Sequence, residues 1–390
     1  MKKKKGFWLA SLLLVGTLLG CSAGQSGQSA GTGAKEIRIG VLTSESGPSA
    51  LLGAMNKKGL ELALEEVGNN INGTKVVVIS TNDDSKAEVS LANVKRLISE
   101  ENVHVVFGPA ASTPASSTQQ ETEKQKVAQI GGIPAASKLT DNHPYYFRAG
   151  AIADRWQMKA LAEFVKGQGW KKVAYLHDSN AYGTGLYTDL SNYLKDVVTE
   201  TNKEQYKPGD KDMKSQLLKI KEQNPDAIAI LGTAVEAGAA AAQARELGLT
   251  QPIIGGSGLA MPNYIEIAKS GAENTYLTAA FVNTDPRPEA KAFVEAWKKK
   301  FNELPDTHAA QSYDAAKMLI AALQKAQLGL TNDSLAKDRE AIKEALTQLK
   351  DFKGICAVQS FGPEATPEDR DANKNPIIVQ VKNGTYLPIQ

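Results

Sequence analysis

The sequence predicts an α/β protein made of two similarly built halves, each a parallel sheet covered by helices. Short apolar runs typical of strands alternate with longer runs at helical spacing, and this alternation starts again near residue 150. The composition is ordinary for a globular protein, with 390 residues of which 42% are hydrophobic and 23% charged. At about 150 residues per domain, this length indicates two or three domains.

The first half shows the alternation most clearly. Strand-like runs at 37–42, 75–81 and 103–107 are separated by helical runs at 57–67 and 89–98. The run at 75–81 is rich in β-branched residues, and both helical runs group their apolar side chains on one face. Strands and helices in this order predict a parallel sheet wound by right-handed crossovers.

The second half repeats the scheme with longer helices. In chain order its predicted elements are helix 153–166, strand 172–177, helices 186–197 and 213–222, strand 227–231, helix 236–247, and strands 252–255 and 275–282. The late elements, which the pattern assigns to neither half, are helices 288–301, 309–326 and 335–349 and a hairpin with a strand at 377–381. The hairpin prediction depends on the Asn383-Gly384 turn.

The charge balance excludes nucleic acid as the main partner. The chain has 45 Lys+Arg and 43 Asp+Glu, for a net charge of +2. Removing the four positive charges of Lys2 to Lys5 leaves a net charge of −2, without a basic stripe. Two cysteines are too few for a disulfide framework.

The amino terminus has the three zones of an export signal. Basic residues at 2–5 precede an apolar run at 7–19, which is too short to cross a hydrocarbon core of about 30 Å. The motif Leu18-Leu19-Gly20-Cys21 resembles the lipobox of bacterial lipoproteins. That resemblance implies a signal peptide at 1–20, lipidation at Cys21 and a Ser/Gly-rich tether at 21–34. The alternative is a simple secretory signal with an incidental cysteine.

Motifs for catalysis or metal binding are missing from the sequence. It contains no HExxH, no P-loop and no GxGxxG, and Gly255 to Leu259 lacks the last glycine of a GxSxG elbow. The four histidines show no metal-ligand spacing. The acidic run Asn82-Asp83-Asp84 is interpreted as a helix start. We therefore predict no enzyme activity, no metal and no cofactor.

Small polar residues follow two of the predicted strands. Ser112 and Thr113 come after the strand ending at Phe107 and before Pro114, and Ser137 follows the apolar run 127–130. Ligands of parallel sheets bind at the carboxyl ends of strands, and helix amino termini attract carboxylates. The two serines therefore either bind one carboxylate together or merely cap helices.

Several stretches, in this order and spacing, resemble the type I periplasmic-binding-protein family, in particular its leucine/isoleucine/valine-binding branch. They are Ile39 to Leu42 with Ser46-Gly47-Pro48 and Gly53, Gly59 to Ala63, Phe107 to Ser112, Pro134 to Ser137, His177 to Gly183, and Gln243 to Gly248. The resemblance implies two Rossmann-like lobes joined by a three-crossing hinge, with a ligand cleft between them. Lobe 1 is expected at 35–150 plus 281–357, and lobe 2 at 151–280 plus 358–390.

The resemblance also implies a set of ligand-binding residues. Ser112 matches the serine that binds the ligand carboxylate, and Thr113 follows it. The other matching positions are Ala135, Ala136 and Ser137 for carboxylate and ammonium contacts, Leu52 for a pocket wall, Tyr182 for the aromatic cover, Thr233 where a tyrosine often lies, and Ser257.

Two positions depart from the family pattern. Ser257 stands where amino-acid binders have a glutamate that pairs with the ligand ammonium, and His308 replaces an aromatic pocket residue. Because a buried ammonium needs a charged partner, either Asp178 or Glu236 substitutes, or the ligand is not a standard amino acid.

These observations predict a solute-binding lipoprotein of an ABC importer, held by its lipid anchor on the outer face of the cell membrane or in the periplasm. It is expected to act as a monomer, to capture a small carboxylate-bearing molecule such as a branched-chain or related amino acid, and to deliver it to permease and ATPase subunits. The alternatives are a receptor lobe pair for a signalling partner, or a binder of an aromatic acid or small amide. An exported enzyme is a third hypothesis.

Overall fold

The computed structural model describes residues 35–364 and 366–389. They form two α/β lobes, each with a seven-stranded sheet, and this confirms the predicted fold class. The predicted signal peptide, Cys21 and the tether lie outside the described residues. Across the described ranges, no helix is both long and apolar enough to span a membrane.

The first lobe contains a mostly parallel sheet. Its strands are β1 (Glu36–Thr43), β2 (Asn70–Ile71), β3 (Thr74–Asn82), β4 (Val105–Phe107), β5 (Gln129–Gly131), β6 (Tyr146–Ile152) and β14 (Asp371–Asn373), in the order β14-β6-β5-β4-β1-β3-β2. Only the short β2 pairs antiparallel, with β3. Parallel pairing brings the carboxyl ends of β1, β3, β4 and β5 to one edge of the sheet.

Helices cover both faces of this sheet, and the longer ones bury apolar side chains against it. They are α1 (Ala50–Glu66), α2 (Ala87–Ser99), α3 (Ser112–Lys124), α9 (Pro288–Phe301), α10 (Thr307–Lys325), α11 (Leu335–Thr347) and the single turn α12 (Pro367–Arg370). The late helices, which the local pattern assigned to neither half and the family resemblance placed in lobe 1, pack into the first lobe's core through residues such as Trp297, Leu319 and Ile342.

The second lobe has a similar sheet with an antiparallel end. Its strands are β7 (Lys172–Asp178), β8 (Thr199–Tyr206), β9 (Ala227–Leu231), β10 (Ile253–Gly255), β11 (Thr275–Ala279), β15 (Ile377–Lys382) and β16 (Thr385–Pro388), in the order β16-β15-β11-β10-β9-β7-β8. The predicted terminal hairpin is present as β15 and β16. Every residue of β9 is buried, as its continuous apolar run predicts for a central strand.

The helices of the second lobe are α4 (Asp154–Gln168), α5 (Ala181–Leu194), α6 (Lys214–Glu222), α7 (Ala234–Glu246) and α8 (Pro262–Ala268). The small alanines of α7 pack against the sheet and α8. Asn180 caps α5, since its side-chain oxygen accepts the N–H of Gly183 at 2.9 Å. This cap fixes the start of α5 directly after β7, at the edge of the cleft.

The chain passes between the two sheets three times, after β6, after β11 and after β14. We expected the last passage at 357/358, with 358–390 in lobe 2. The structure differs, because β14 pairs parallel with β6 and Phe361 and Ala372 lie in the first lobe's core. Residues 358–373 therefore belong with the first lobe, and the crossing lies at 374–376. A small hairpin of β12 (Phe352–Lys353) and β13 (Val358–Gln359) precedes it.

Several strands were not predicted, and the two longest of them, β6 and β8, have sequences that hide the strand pattern. The edge strand β8 reads TETNKEQY and is largely exposed, so it carries almost no apolar signal. The strand β6 is fully buried but contains Arg148. The buried arginine is tolerated because it forms an ion pair with Asp371, 223 residues away in the sequence, whose Oδ1 accepts a hydrogen bond from its Nη1 at 2.6 Å.

Candidate functional site

A cavity of about 140 Å³ lies between the lobes, at the carboxyl ends of strands from both sheets. The first lobe lines it with Pro48, Ser49, Leu52, Ser85, Ala110 to Pro114, Ile133 to Ala135, and His308. The second lobe lines it with Asp178, Asn180, Tyr182, Pro208, Thr233, Ser257 and Gly258. Both lobes therefore supply polar and apolar groups to one shared space.

The structure brings most of the predicted site residues to this cavity. Those that line it are Leu52, Ser112, Thr113, Ala135, Tyr182, Thr233 and Ser257. Ala136 and Ser137 are not among the lining residues. The side chain of Ser137 and the backbone of Ala136 are held by other protein groups. Ligand contacts of these two residues and of the seven lining residues remain predictions.

Ser112 begins α3 and holds two turns of the first lobe together. Its hydroxyl oxygen accepts the backbone N–H groups of Ala135 and Ala136, both at 3.2 Å. The residue that caps α3 is Ala111, without any side-chain cap, so the capping interpretation of Ser112 is wrong. Because its oxygen is occupied as an acceptor, the hydroxyl hydrogen of Ser112 is the part left to donate into the cavity.

Ser137 faces away from the cavity. Its hydroxyl donates to Oδ2 of Asp189 in α5 at 2.7 Å and accepts the backbone N–H of Arg155 at 2.8 Å. It therefore provides an acceptor for a free N–H in the first turn of α4, and its two hydrogen bonds connect the two lobes. Ala136 is held in the same loop, since its carbonyl oxygen accepts the guanidinium of Arg148. The side chain of Ser137 thus fits the helix-start interpretation, although the helix concerned is α4.

Tyr182 closes the cavity from the second lobe. Its hydroxyl oxygen accepts the N–H of Gly258 at 2.8 Å, and burial raises its pKa well above the usual value. A Cβ at position 258 would collide with the Tyr182 ring and the carbonyl oxygen of Gly232. Glycine at 258 is therefore required for the turn to approach the tyrosine this closely.

Ser257 lies in the same turn and brings no charge to the cavity. Its backbone N–H donates to Oε1 of Gln157 at 2.8 Å, and the same oxygen accepts the hydroxyl of Thr278 at 2.7 Å. The turn is therefore fixed from behind by α4 and β11.

Two acids of the second lobe differ in their access to the cavity. Asp178, the last residue of β7, lines it, whereas Glu236 lies behind Thr233, whose hydroxyl donates to Glu236 Oε2 at 3.0 Å. Asp178 accepts the N–H of Asn180 at 3.0 Å and its side-chain amide at 2.7 Å. Burial, followed by the repulsion of Glu236 and Asp210, raises the pKa of Asp178 to about 7.

His308, near the start of α10, lines the cavity from the first lobe with only 3% of its surface exposed. Burial lowers its pKa to about 4, so the imidazole is neutral at pH 7. In the described structure its Nδ1 has no hydrogen-bond partner. Asp306 caps the helix by accepting the N–H of Ala309 at 2.8 Å and so fixes the position of His308.

The loops after β1 and β3 supply lining residues that the sequence interpretation missed, among them Ser49 and Ser85. Ser85 follows the acidic run Asn82-Asp83-Asp84, which was interpreted as a helix start. The helix begins only at Ala87, after Lys86, and no acidic side chain caps it. Asp83 instead accepts the Ser44 hydroxyl at 2.6 Å and so fixes the loop. The strand-end rule that identified Ser112 also applies to this loop.

The lobes contact each other around the cavity. The N–H of Ala181 in the second lobe donates to the hydroxyl of Thr113 at 3.2 Å. Leu52, Ala110 and Ile133 of the first lobe pack into an apolar cluster of the second. The described structure is therefore a closed cleft. Within the described residues, no three His, Cys, Asp or Glu side chains group so that they could hold a metal ion.

Two sheet-based lobes that close over a small cavity, lined by polar and apolar groups of both, have the architecture of a solute-binding protein. The chain belongs to the periplasmic binding protein family, whose model matches residues 36–385. This confirms the resemblance seen in the sequence. Members of this family work outside the cytoplasm and in general bind solutes without converting them.

Relatives and solved structures agree with this assignment. The chain is 28% identical to Leu/Ile/Val-binding protein homolog 7 of Brucella suis, over 91% of each chain. It is similar to the leucine-binding protein LivK of Thermotoga maritima, with a TM-score of 0.82, 27% identity, and coverage of 91% of this chain and 98% of that one. The isoleucine complex of LivJ, the branched-chain amino acid transporter substrate-binding protein of Streptococcus pneumoniae, gives a TM-score of 0.80 and 28% identity, covering 91% of this chain and 100% of that one.

Proposed function

We propose that this protein is the solute-binding lipoprotein of an ABC importer and captures a small carboxylate-bearing ligand, such as a branched-chain or related amino acid. It delivers this ligand to a membrane permease. The observation that carries the proposal is the shared cavity, to which Ser112 brings a hydroxyl donor and both lobes bring walls. The relatives and structures named for leucine, isoleucine and valine binding support the ligand class.

Ligand binding is coupled to closure because the cavity walls come from different lobes. An open form would keep Ser112 and Tyr182 apart, so one small ligand could contact both only in the closed form. A ligand shifts an equilibrium between two forms by its difference in affinity for them. Closure also removes water, which strengthens the hydrogen bond from Ser112. The closed, ligand-bound form is then the one presented to the permease.

A ligand screen tests the proposed function. Thermal unfolding of residues 35–390 is measured with amino acids, aromatic acids and small amides. A ligand at about 100 times its Kd adds roughly 2.7 kcal/mol to the free energy of unfolding, which gives a measurable rise in Tm. Uptake of a hit by cells that lack the gene should fall and be restored by the intact gene. Intact uptake with a lost transcriptional response would instead favour a sensor.

The lipid anchor is a separate part of the proposal, and it depends on the lipobox-like motif at 18–21. Two acyl chains hold a protein stably on a membrane, whereas one chain holds it only marginally. In cells, the wild-type protein is expected in the membrane fraction and the Cys21→Ala variant in the soluble or secreted fraction. Equal membrane retention of both proteins would contradict lipidation at Cys21.

A further inference from the structure

The second lobe's side of the cavity has an uncompensated acidic wall. Asp178 and Glu236 are 1% and 3% exposed, respectively. In the described part of the chain, neither forms an ion pair with a lysine, arginine or histidine. Buried carboxylates without a cation are costly, and they are commonly paired or neutralised.

Only one of the two acids is available to a ligand. Glu236 already accepts the Thr233 hydroxyl and, at 2.9 Å, the N–H of Gly209, and it does not line the cavity. Asp178 lines the cavity, and each of its oxygens accepts a single hydrogen bond from Asn180. A carboxylate oxygen has room for a second donor, so Asp178 keeps free acceptor capacity towards the cavity.

Two buried polar atoms around this space also lack partners. The Tyr206 hydroxyl is 2% exposed and has no hydrogen-bond partner in the described structure. It lies beside Asp178, since a Cβ at Gly232 would collide with this hydroxyl and touch the Asp178 Cβ at 3.2 Å. His308 Nδ1, which lines the cavity from the other lobe, is likewise unpartnered. Buried polar groups normally have partners, so these two atoms favour a polar ligand over an apolar one.

The opposite wall offers donors instead of acceptors. Ser112 has its hydroxyl hydrogen free, and α3 begins at this residue, so the amino-terminal end of a 13-residue helix faces the same space. That wall suits an anion and the Asp178 wall suits a cation. A ligand with only a carboxylate would leave the acid of the second lobe unpaired.

We propose that Asp178 binds the ammonium group of the ligand, and that the cavity therefore takes zwitterionic amino acids in preference to simple carboxylic acids. Asp178 thus performs the function that the family pattern gives to a glutamate at position 257. This inference rests on the proposed function, since it names the charge type of the same ligand.

Binding is then coupled to the release of a proton. The groups that face Asp178 are Glu236 from α7, Tyr206 from β8, Asp210 from the turn after β8, and the neutral His308 across the cavity. None of them is a cation, so in the unliganded closed form the Asp178 carboxyl keeps its raised pKa of about 7. An ammonium group stabilises the carboxylate, and the carboxyl proton leaves to solvent as the ion pair forms.

The experiment compares matched ligands by isothermal titration calorimetry. The probes are leucine and 4-methylpentanoate, which share a carbon skeleton and differ in the amine, with isoleucine and 3-methylpentanoate as a second pair. We expect the amino acid to bind roughly tenfold to a hundredfold more tightly than its partner at pH 8, the range for a hydrogen bond to a charged group. Amino-acid affinity should rise from pH 6 to pH 8, because the closed cleft holds Asp178 with a raised pKa and the ammonium group binds its carboxylate form.

The variants assign the preference to one side chain. Asp178→Asn should remove the preference for the amine, while 4-methylpentanoate binds at least as well as before. It should also remove the proton release, which is measured as a difference in binding enthalpy between phosphate and Tris buffer. Asp196→Asn is the control, since it removes an exposed charge of the same lobe that does not line the cavity. Asp178→Glu keeps the charge and should keep the preference. Thermal unfolding of each variant checks that it is folded.

The outcomes are distinguishable. If the acids bind as tightly as the amino acids, or if Asp178→Asn keeps the preference for the amine, the assignment of Asp178 is wrong while the solute-binding function stands. If no member of either pair binds and the wider screen finds no carboxylate, the proposed function itself fails, and this inference fails with it.

Discussion

The two walls of the cleft differ in how their polar groups are supported. The first-lobe wall is made of backbone turns joined by Ser112 and held from behind by Arg148, which donates to the carbonyl oxygens of Pro134 and Ala136. The second-lobe wall is made of the side chains of Asp178 and Tyr182 at the end of β7 and the start of α5. The first wall is therefore held by backbone hydrogen bonds and is rich in donors, whereas the second is acidic and carries Asp178, to which we assign the charge preference.

The comparison explains why a serine and not a glutamate at position 257 is compatible with the fold. The turn around Ser257 is packed tightly against Tyr182 and Gln157. The acid at the end of β7 lies on the same wall, so the charge can come from a neighbouring strand end. The turn around Ser257 is thus fixed by its packing, whereas the acidic group of this wall can stand at another strand end, as Asp178 does.

The largest expected effect comes from breaking the support of the first wall. Arg148→Ala leaves Asp371 as a buried, poorly compensated charge, and it removes the donors to Pro134 and Ala136. The free energy of unfolding should fall by about 3–5 kcal/mol, as measured by urea unfolding. Lys75→Ala, which breaks the exposed pair with Glu36, is the control and should change little. A similar small loss in both variants would contradict the supporting role of Arg148.

Ser112→Ala tests the donor on the first wall directly. Ligand binding should weaken by roughly 1.5–3 kcal/mol, because a hydrogen bond to a charged carboxylate is lost. Calorimetry with a verified ligand measures this change. Ser116→Ala, an exposed position on the same helix, should leave the affinity unaltered. Unchanged affinity in Ser112→Ala would remove this residue from the site.

The first wall should also make stability depend on pH through His308. Its pKa is about 4 when folded and near 6.5 when unfolded, so below 6.5 the unfolded chain binds more protons. The stabilisation is present above pH 6.5 and is lost as the pH falls towards 4, which amounts to about 2 kcal/mol between pH 8 and pH 5. His308→Gln cannot titrate and should flatten this part of the profile. His143→Gln, at a partly exposed position, is the control.

The smallest effect is expected on the second wall. Tyr182→Phe removes the hydroxyl that accepts the Gly258 N–H but keeps the ring that covers the cavity. Unfolding free energy should fall by about 1 kcal/mol, the lower end of the range for a buried N–H that loses its acceptor. Chemical denaturation measures it, and Tyr193→Phe, a half-exposed tyrosine on the same helix, provides the matched control. A loss as large as that of Arg148→Ala would mean that the second wall is no less rigid than the first.

Most of the elements could be predicted from local pattern. The strand β9 is a continuous apolar run, β1 alternates before its apolar end, and helices such as α2 carry their apolar residues at helical spacing. The strand-end rule also located Ser112 at the cleft, and the family resemblance located Tyr182 there. By contrast, β8 was missed because an exposed edge strand carries no apolar signal.

The sequence alone determined the fold class, the family and the neighbourhood of the site, since these depend on periodicity and on short motifs of adjacent residues. The tertiary structure decided which lobe holds 358–373, that Ser137 faces Asp189, and that Asp178 lines the cavity while Glu236 does not. These outcomes depend on pairings between residues far apart in the chain. Local patterns contain no information about such partners, because the free energy of a buried polar group is set by whatever the fold places beside it.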